Sequence, residues 1–165
     1  MAGVIRALLL AAAWAAAASP IEFRVRAEPK VLLPGMRLSL FAAWRNPAKA
    51  GGAAVRVNRR GLLGHDVVIT IKAKDKPALE LVTPPDLGGA GERDFQLLGP
   101  GESFEYEYPV SLRSGGDLPP GSYDIRVVYR NDSPGPAESQ AWVGTLESKA
   151  KVRVTRPPAR KKGVK

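Results

Sequence analysis

Apolar and polar residues alternate along most of this chain, with the two-residue period of β-strands. Ile21, Phe23 and Val25 are separated by Glu22, Arg24 and Arg26, and Leu38, Leu40, Ala42 and Trp44 repeat the pattern. Successive strand side chains point to opposite faces, so each run has one face to bury. Residues 66–73 carry Val67, Val68, Ile69, Thr70 and Ile71, a β-branched run that predicts a well-buried strand. Val55 with Val57, Leu79 with Leu81, and Phe95 with Leu97 predict shorter strands. Two longer alternations follow: Phe104, Tyr106, Tyr108, Val110 and Leu112, then Tyr123, Ile125, Val127 and Tyr129. Residues 142–146 with Ala150, Val152 and Val154 predict the last strand, interrupted by a bulge near Gly144.

Turn residues punctuate these runs. They are Leu33-Pro34-Gly35, Asn46-Pro47, Lys74-Asp75-Lys76-Pro77, Gly99-Pro100-Gly101 and Pro119-Pro120-Gly121. Seven to nine short strands with regular turns and no helix after residue 18 predict an all-β fold, a two-sheet antiparallel sandwich. The inward set is expected to be Phe23, Val25, Leu38, Leu40, Trp44, Ile69, Ile71, Tyr106, Val110, Tyr123, Ile125, Val127, Trp142 and Val152.

The segment Leu118-Pro119-Pro120-Gly121-Ser122-Tyr123-Asp124-Ile125-Arg126-Val127 resembles the entry to the penultimate strand of immunoglobulin-like and fibronectin-III-like domains. The resemblance extends to Leu98-Gly99-Pro100-Gly101-Glu102-Ser103, to Tyr129-Arg130-Asn131 and to residues 142–148, and so covers most of the chain after residue 18. It implies an exported bacterial domain with an immunoglobulin-like sandwich. In that family a tyrosine at the strand start hydrogen-bonds back to the chain and pins the corner. The resemblance gives that role to Tyr123, with Gly121 beside it. The antibody-type cysteine pair is absent, since the chain has no cysteine.

Residues 1–18 change the picture of where the protein works. Arg6 precedes the apolar run 7–18, and Ala16 and Ala18 form an A-x-A cleavage site. This is the pattern of a secretory signal peptide, too short to span a bilayer. The expected organisation is a leader over 1–18, one sandwich domain over 19–155 and a basic disordered tail over 156–165. Export to the periplasm or the extracellular space follows, with no transmembrane segment once the leader is cleaved.

The net charge of +9 is unevenly spread. Setting aside Arg6 and the tail's Arg156, Arg160, Lys161, Lys162 and Lys165 leaves 19 of the 25 basic residues against all 16 acidic ones. The domain is mildly basic. The tail can attract an anionic surface weakly, with Lys161 and Lys162 as candidate contacts, and nucleic acid is not expected as a partner.

Candidate chemistry is sparse. His65 is the sole histidine, and strand alternation would point it and Asp66 to opposite faces. Metal sites need several converging ligands, and no serine sits in a G-x-S-x-G elbow. Glu105 and Glu107 share one strand face and read as solvated. The glycine-rich segments precede no helix, so no phosphate cradle is indicated. No cofactor and no catalysis are expected. The basic run Arg56, Arg59 and Arg60 is a candidate partner contact. The function read from these features is a non-catalytic exported module that contacts an envelope protein or polymer through loops or an exposed strand edge. The alternative is an immunoglobulin-like protease inhibitor that presents loops from one end of the sandwich.

Overall fold

Alternation becomes strand wherever one side of a run can be covered. The computed structural model describes residues 19–33, 36–61, 65–74, 76–81, 91–110, 118–136 and 140–155. The expected leader (1–18), the tail with Lys161 and Lys162 (156–165) and all of segment 82–90 lie outside these residues. Ten strands occur among them: β1 (Glu22–Glu28), β2 (Val31–Leu32), β3 (Leu38–Arg45), β4 (Val55–Asn58), β5 (Val67–Ala73), β6 (Leu79–Leu81), β7 (Phe95–Leu98), β8 (Ser103–Val110), β9 (Gly121–Asn131) and β10 (Gly144–Val154). A single 3-10 turn, Glu92–Asp94, precedes β7, and there is no α-helix among the described residues.

The strands form three sheets where two were expected, because the short β4 and β7 pair only with each other among the described residues. One runs β1-β3-β8, a second β2-β10-β9-β5-β6, and β4 pairs with β7. All pairings are antiparallel except β2 with β10, which run parallel at Val31 with Arg153 and Leu32 with Val154. The β9–β10 ladder is the longest, unbroken from Gly144 opposite Asn131 to Val154 opposite Gly121.

Side chains from all three sheets meet in one core. Leu38, Leu40 and Trp44 of β3, Ile69 and Ile71 of β5, Ile125, Val127 and Tyr129 of β9, and Val57 of β4 are buried together. At about 25 cal/mol per Å² of apolar surface, each such aliphatic side chain contributes roughly 1.5–3 kcal/mol. Aromatic rings fill one end. Trp44 stacks on Phe104 at 4.7 Å and meets Tyr129 edge-on at 5.2 Å, with Phe23 5.0 Å from Trp44.

Three expectations are corrected here. The strand count exceeds nine because β2 is a separate two-residue strand lying on β10. No bulge interrupts β10, which starts at Gly144. Trp142 stands outside it, because its amide donates to the carbonyl of Arg56 on β4 (2.8 Å). Tyr106 is 43% exposed, whereas Tyr108, left out of the inward set, is buried. Both lie on the same side of β8, but β8 ends its sheet, and the cover over an edge strand thins along its length. Val25 and Trp142 are half-buried against the core.

The turn before β8 follows from its residues. The amide of Glu102 donates to the carbonyl of Gly99 (3.0 Å), and Gly101 has φ +79°, a left-handed conformation that glycine adopts without strain. The Glu102 carboxylate reaches back to accept from the amide of Gly99 (2.8 Å). Asn46 ties this turn to the rest of the fold. Fully buried, it donates through Nδ2 to the carbonyls of Ala53 (2.9 Å) and Leu98 (3.0 Å), and its Oδ1 accepts from the amide of Ala48 (3.0 Å).

Candidate functional site

Three of the four polar residues buried among the described residues gather at the end of the core marked by Tyr129; the fourth is Asn46. In β9, Tyr123, Ile125, Val127 and Tyr129 point inward, and Asn131 takes the next inward position. In β4, Val57 and Asn58 are both buried, so the strand loses its alternation at its last residue. The segment 65–66 is a turn, with β5 starting only at Val67. These three strand ends bring Asn58, Asn131 and Asp66 together.

Asp66 is the centre of the cluster, with a side chain only 4% exposed. Arg60 grips it with both arms of its guanidinium, Nε donating to Oδ2 (2.9 Å) and Nη2 to Oδ1 (3.1 Å). Such a fork is the strong form of an ion pair. A buried carboxylate needs that partner, because taking an unpaired charge out of water costs several kcal/mol. Asn58 extends Nδ2 toward Asp66 Oδ1 at a longer 3.4 Å, while its Oδ1 accepts from the amide of Arg60 (2.9 Å). Asn131 donates to the carbonyl of Trp142, and the Tyr129 hydroxyl donates to the carbonyl of Asn58 (2.9 Å). The amide of Arg130 closes the arrangement by donating to the carbonyl of Asp66 (2.8 Å).

His65 does not point away from Asp66. Its Nδ1 lies 3.0 Å from Asp66 Oδ1, which corrects the expectation of opposite faces: residues in a turn do not alternate. Nδ1 is also 3.0 Å from Arg60 Nη2. With its proton on Nδ1 the ring donates to Asp66, and with its proton on Nε2 it accepts from Arg60 instead. The imidazole is 68% exposed at the mouth of a cleft of about 480 Å³, lined also by Arg130, Asp132, Ser133, Gly135 and Pro136.

The chemistry available is limited by these contacts. Asp66 is neutralised by Arg60, and the Ser133 hydroxyl accepts from the amide of Gly135 (3.1 Å). Among the described residues no group of three or more His, Cys, Asp or Glu side chains is placed to hold a metal ion. Burial drives the phenol of Tyr129 well above its ordinary pKa, and the charge of Asp66 pushes the same way. The hydroxyl is a fixed donor.

The basic run is divided by the fold. Arg60 is turned into the buried cluster with a side chain 10% exposed. Arg59 is exposed and donates through Nε to the carbonyl of Arg93 (3.2 Å), while Arg56 is half-buried in β4, opposite Leu97. At the far end of β9 the Tyr123 hydroxyl donates to the carbonyl of Pro119 (2.7 Å), and Gly121 opens the strand opposite Val154. Asn58 was not singled out by sequence reasoning, and Arg130 and Asn131 entered only as part of the resemblance, with no site role. One signal was present for Asn131: a polar residue at the inward position after Tyr129 requires a buried partner.

No protein-family model matches the chain, and no curated protein matches it in sequence. Among solved structures, an alkylpurine DNA glycosylase of Pseudomonas fluorescens bound to DNA with an abasic-site analogue is 14% identical. Its TM-score is 0.36, over 79% of this chain and 30% of the glycosylase. AvmM, which catalyses macrocyclization in alchivemycin A biosynthesis, is 16% identical with a TM-score of 0.41, over 85% of this chain and 91% of AvmM. A β-glucosidase from Listeria innocua is 14% identical with a TM-score of 0.35, over 81% of this chain and 16% of the glucosidase. The chain therefore spans less than a third of the glycosylase and of the glucosidase. Likenesses this weak bear on neither its fold assignment nor its chemistry.

Proposed function

We propose that the chain is an exported, non-catalytic binding module with an immunoglobulin-like sandwich, and that its partner, an envelope protein or polymer, adds to the open edge of β8. The sandwich reading is supported by strand order. With β1, β3 and β8 taken as A, B and E, and β5, β9 and β10 as C, F and G, the two larger sheets divide as in immunoglobulin domains. The bond from Tyr123 to Pro119 supports it further. Absence of catalysis is favoured by the way Arg60 and His65 occupy Asp66.

The observation that carries the binding reading is the edge itself. β8 is eight residues long, it ends its sheet among the described residues, and Tyr106 stands 43% exposed on it, 4.8 Å from the ring of Tyr108. An unpaired edge offers main-chain donors and acceptors to an incoming strand, and an exposed tyrosine adds contact area at little entropic cost. The test is a photo-crosslinking residue at position 106, introduced in exporting cells, with position 74 as a control outside β8. Discrete adducts specific to position 106 are expected in the envelope fraction. Absence of adducts, or the same adducts from both positions, rejects the edge as the contact.

A further inference from the structure

The two larger sheets present outward faces of different charge. On the β1-β3-β8 sheet, Arg24, Arg26 and Arg45 share the outward positions with Glu22, Glu28, Glu105 and Glu107, and Arg26 is held by Glu28 and Glu105. The outward face of β5, β9 and β10 carries Lys72, Arg126, Arg130, Lys149, Lys151 and Arg153, all exposed. The carboxylates facing them on these strands are Asp124 and Glu147, with Glu80 and Asp132 at the margins. Glu147 is shared between Arg126 (2.6 Å) and Lys149 (3.4 Å), and Asp124 lies 3.4 Å from Lys151. Six cations thus outnumber four carboxylates on this face, and Lys149, Lys151 and Arg153 occupy successive outward positions of β10.

We propose that this face, ordered along β10, is a binding surface for a linear phosphodiester-linked polymer. Its cations recur every second residue, about 7 Å apart, and cross-strand neighbours such as Arg126 beside Lys149 widen the row. A chain with one phosphate per about six backbone bonds has a repeat of similar length, so successive phosphates can meet successive cations. Arginine contributes paired donors to phosphate oxygens and lysine a mobile point charge. The face has no aromatic residue on which a base could stack, and Val68 and Val128, its apolar members, are half-buried. The stripe ends at Arg153, one residue before the end of β10, and the sequence continues with five more basic residues among positions 156–165. This surface is separate from the β8 edge, so the two readings fail independently.

The test uses the full chain and a labelled oligomer of glycerol phosphate about a dozen units long, followed by fluorescence anisotropy across a salt series. Binding is expected, with log K falling linearly in log salt at a slope of about −2 to −4, the signature of three to five released counterions. K149E/K151E/R153E is expected to weaken binding at least about tenfold, while the charge-matched R24E/R37E/R45E, at Arg24 and Arg45 of the other sheet and the exposed Arg37 just before β3, changes it less than about twofold. Should the triple reversal fail to fold, K149Q/K151Q reports the same direction with a smaller loss, and circular dichroism distinguishes the cases. No binding at low salt overturns the proposal. So does equal weakening by both reversals, or unchanged binding by the β10 variant. Equally tight binding to polygalacturonate, or to phosphatidylglycerol vesicles, reassigns the surface to anions in general and also overturns it.

Discussion

Asp66 holds a charge almost out of reach of water, and Arg60 makes that tolerable. Removing one partner strands the other. Asp66→Ala is expected to cost about 3–5 kcal/mol in urea denaturation, whereas Arg60→Met with Asp66→Leu should recover most of that loss. If the double variant is no more stable than the single, the two residues are not a coupled pair. Gly61 makes a second prediction at this scale. It is buried with φ +61°, and a Cβ there would lie 2.6 Å from the hydroxyl oxygen of Tyr108. Gly61→Ala combines backbone strain with a clash, at about 1–3 kcal/mol. Adding Tyr108→Phe removes the clash and should return part of the stability. A Gly61→Ala protein with an unchanged midpoint would show that the segment moves freely.

At the scale of elements, single polar residues join what the ladders leave apart. Asn46 connects the end of β3, the loop before β4, the end of β7 and the turn before β8; besides its side-chain bonds, its amide donates to Glu102 (2.9 Å) and its carbonyl accepts from Gly101 (2.9 Å). Asn46→Ala should cost about 2–3 kcal/mol, because buried carbonyls lose their donor. Asn46→Asp should cost more, since it aims a carboxylate at those same carbonyls. An aspartate variant as stable as the alanine one would argue against this geometry. At the corner of β9, Tyr123→Phe removes the hydroxyl's bond to Pro119 and should lower stability by about 1 kcal/mol; an unshifted midpoint would show the bond to be energetically neutral.

These elements also show what the sequence reveals and what it conceals. The runs of β1, β3, β5 and β9 were legible because alternation is local, and so was the Gly99–Glu102 turn, whose residues dictate their own conformation. The convergence of Asn58, Asp66 and Asn131 was hidden, since Asn131 is far along the chain from the other two and all three meet only when β4, β5 and β9 are assembled. Asn46 read only as a strand stop because four of its five bonds reach beyond its own turn, and only the one from Ala48 is local. Tyr106 and Tyr108 were indistinguishable by period: they share a face, and their different exposure depends on how far cover extends over an edge strand. His65 and Asp66 misled because strand geometry was applied to a turn.

At the scale of the molecule, buried phenols link the core to pH. The phenols of Tyr108 and Tyr129 have pKa values raised above the usual value, in both cases chiefly by burial. Below about pH 10 tyrosines are neutral in the folded and unfolded chain alike, and their contribution to stability is complete. As pH rises past that point the unfolded chain ionises while these two groups stay protonated in the fold, so stability declines. Urea midpoints measured from about pH 8 to 11 should fall with pH, and fall less steeply in Tyr108→Phe with Tyr129→Phe. Equal slopes would mean that neither phenol is protected.

The short parallel pairing of β2 with β10 has a mechanical consequence. The amide of Arg153 donates to the carbonyl of Lys30, and that of Thr155 to the carbonyl of Leu32, both at 3.0 Å. Because the two strands run in the same direction, a pull that drags residues before β2 backward and residues after β10 forward tries to slide one past the other. Such a load falls on these bonds together, in shear, instead of opening them one after another. In a domain tethered at both ends, β1 with its buried Phe23 and Ala27 would have to be drawn from β3 before this two-residue clasp took the load as a second point of resistance.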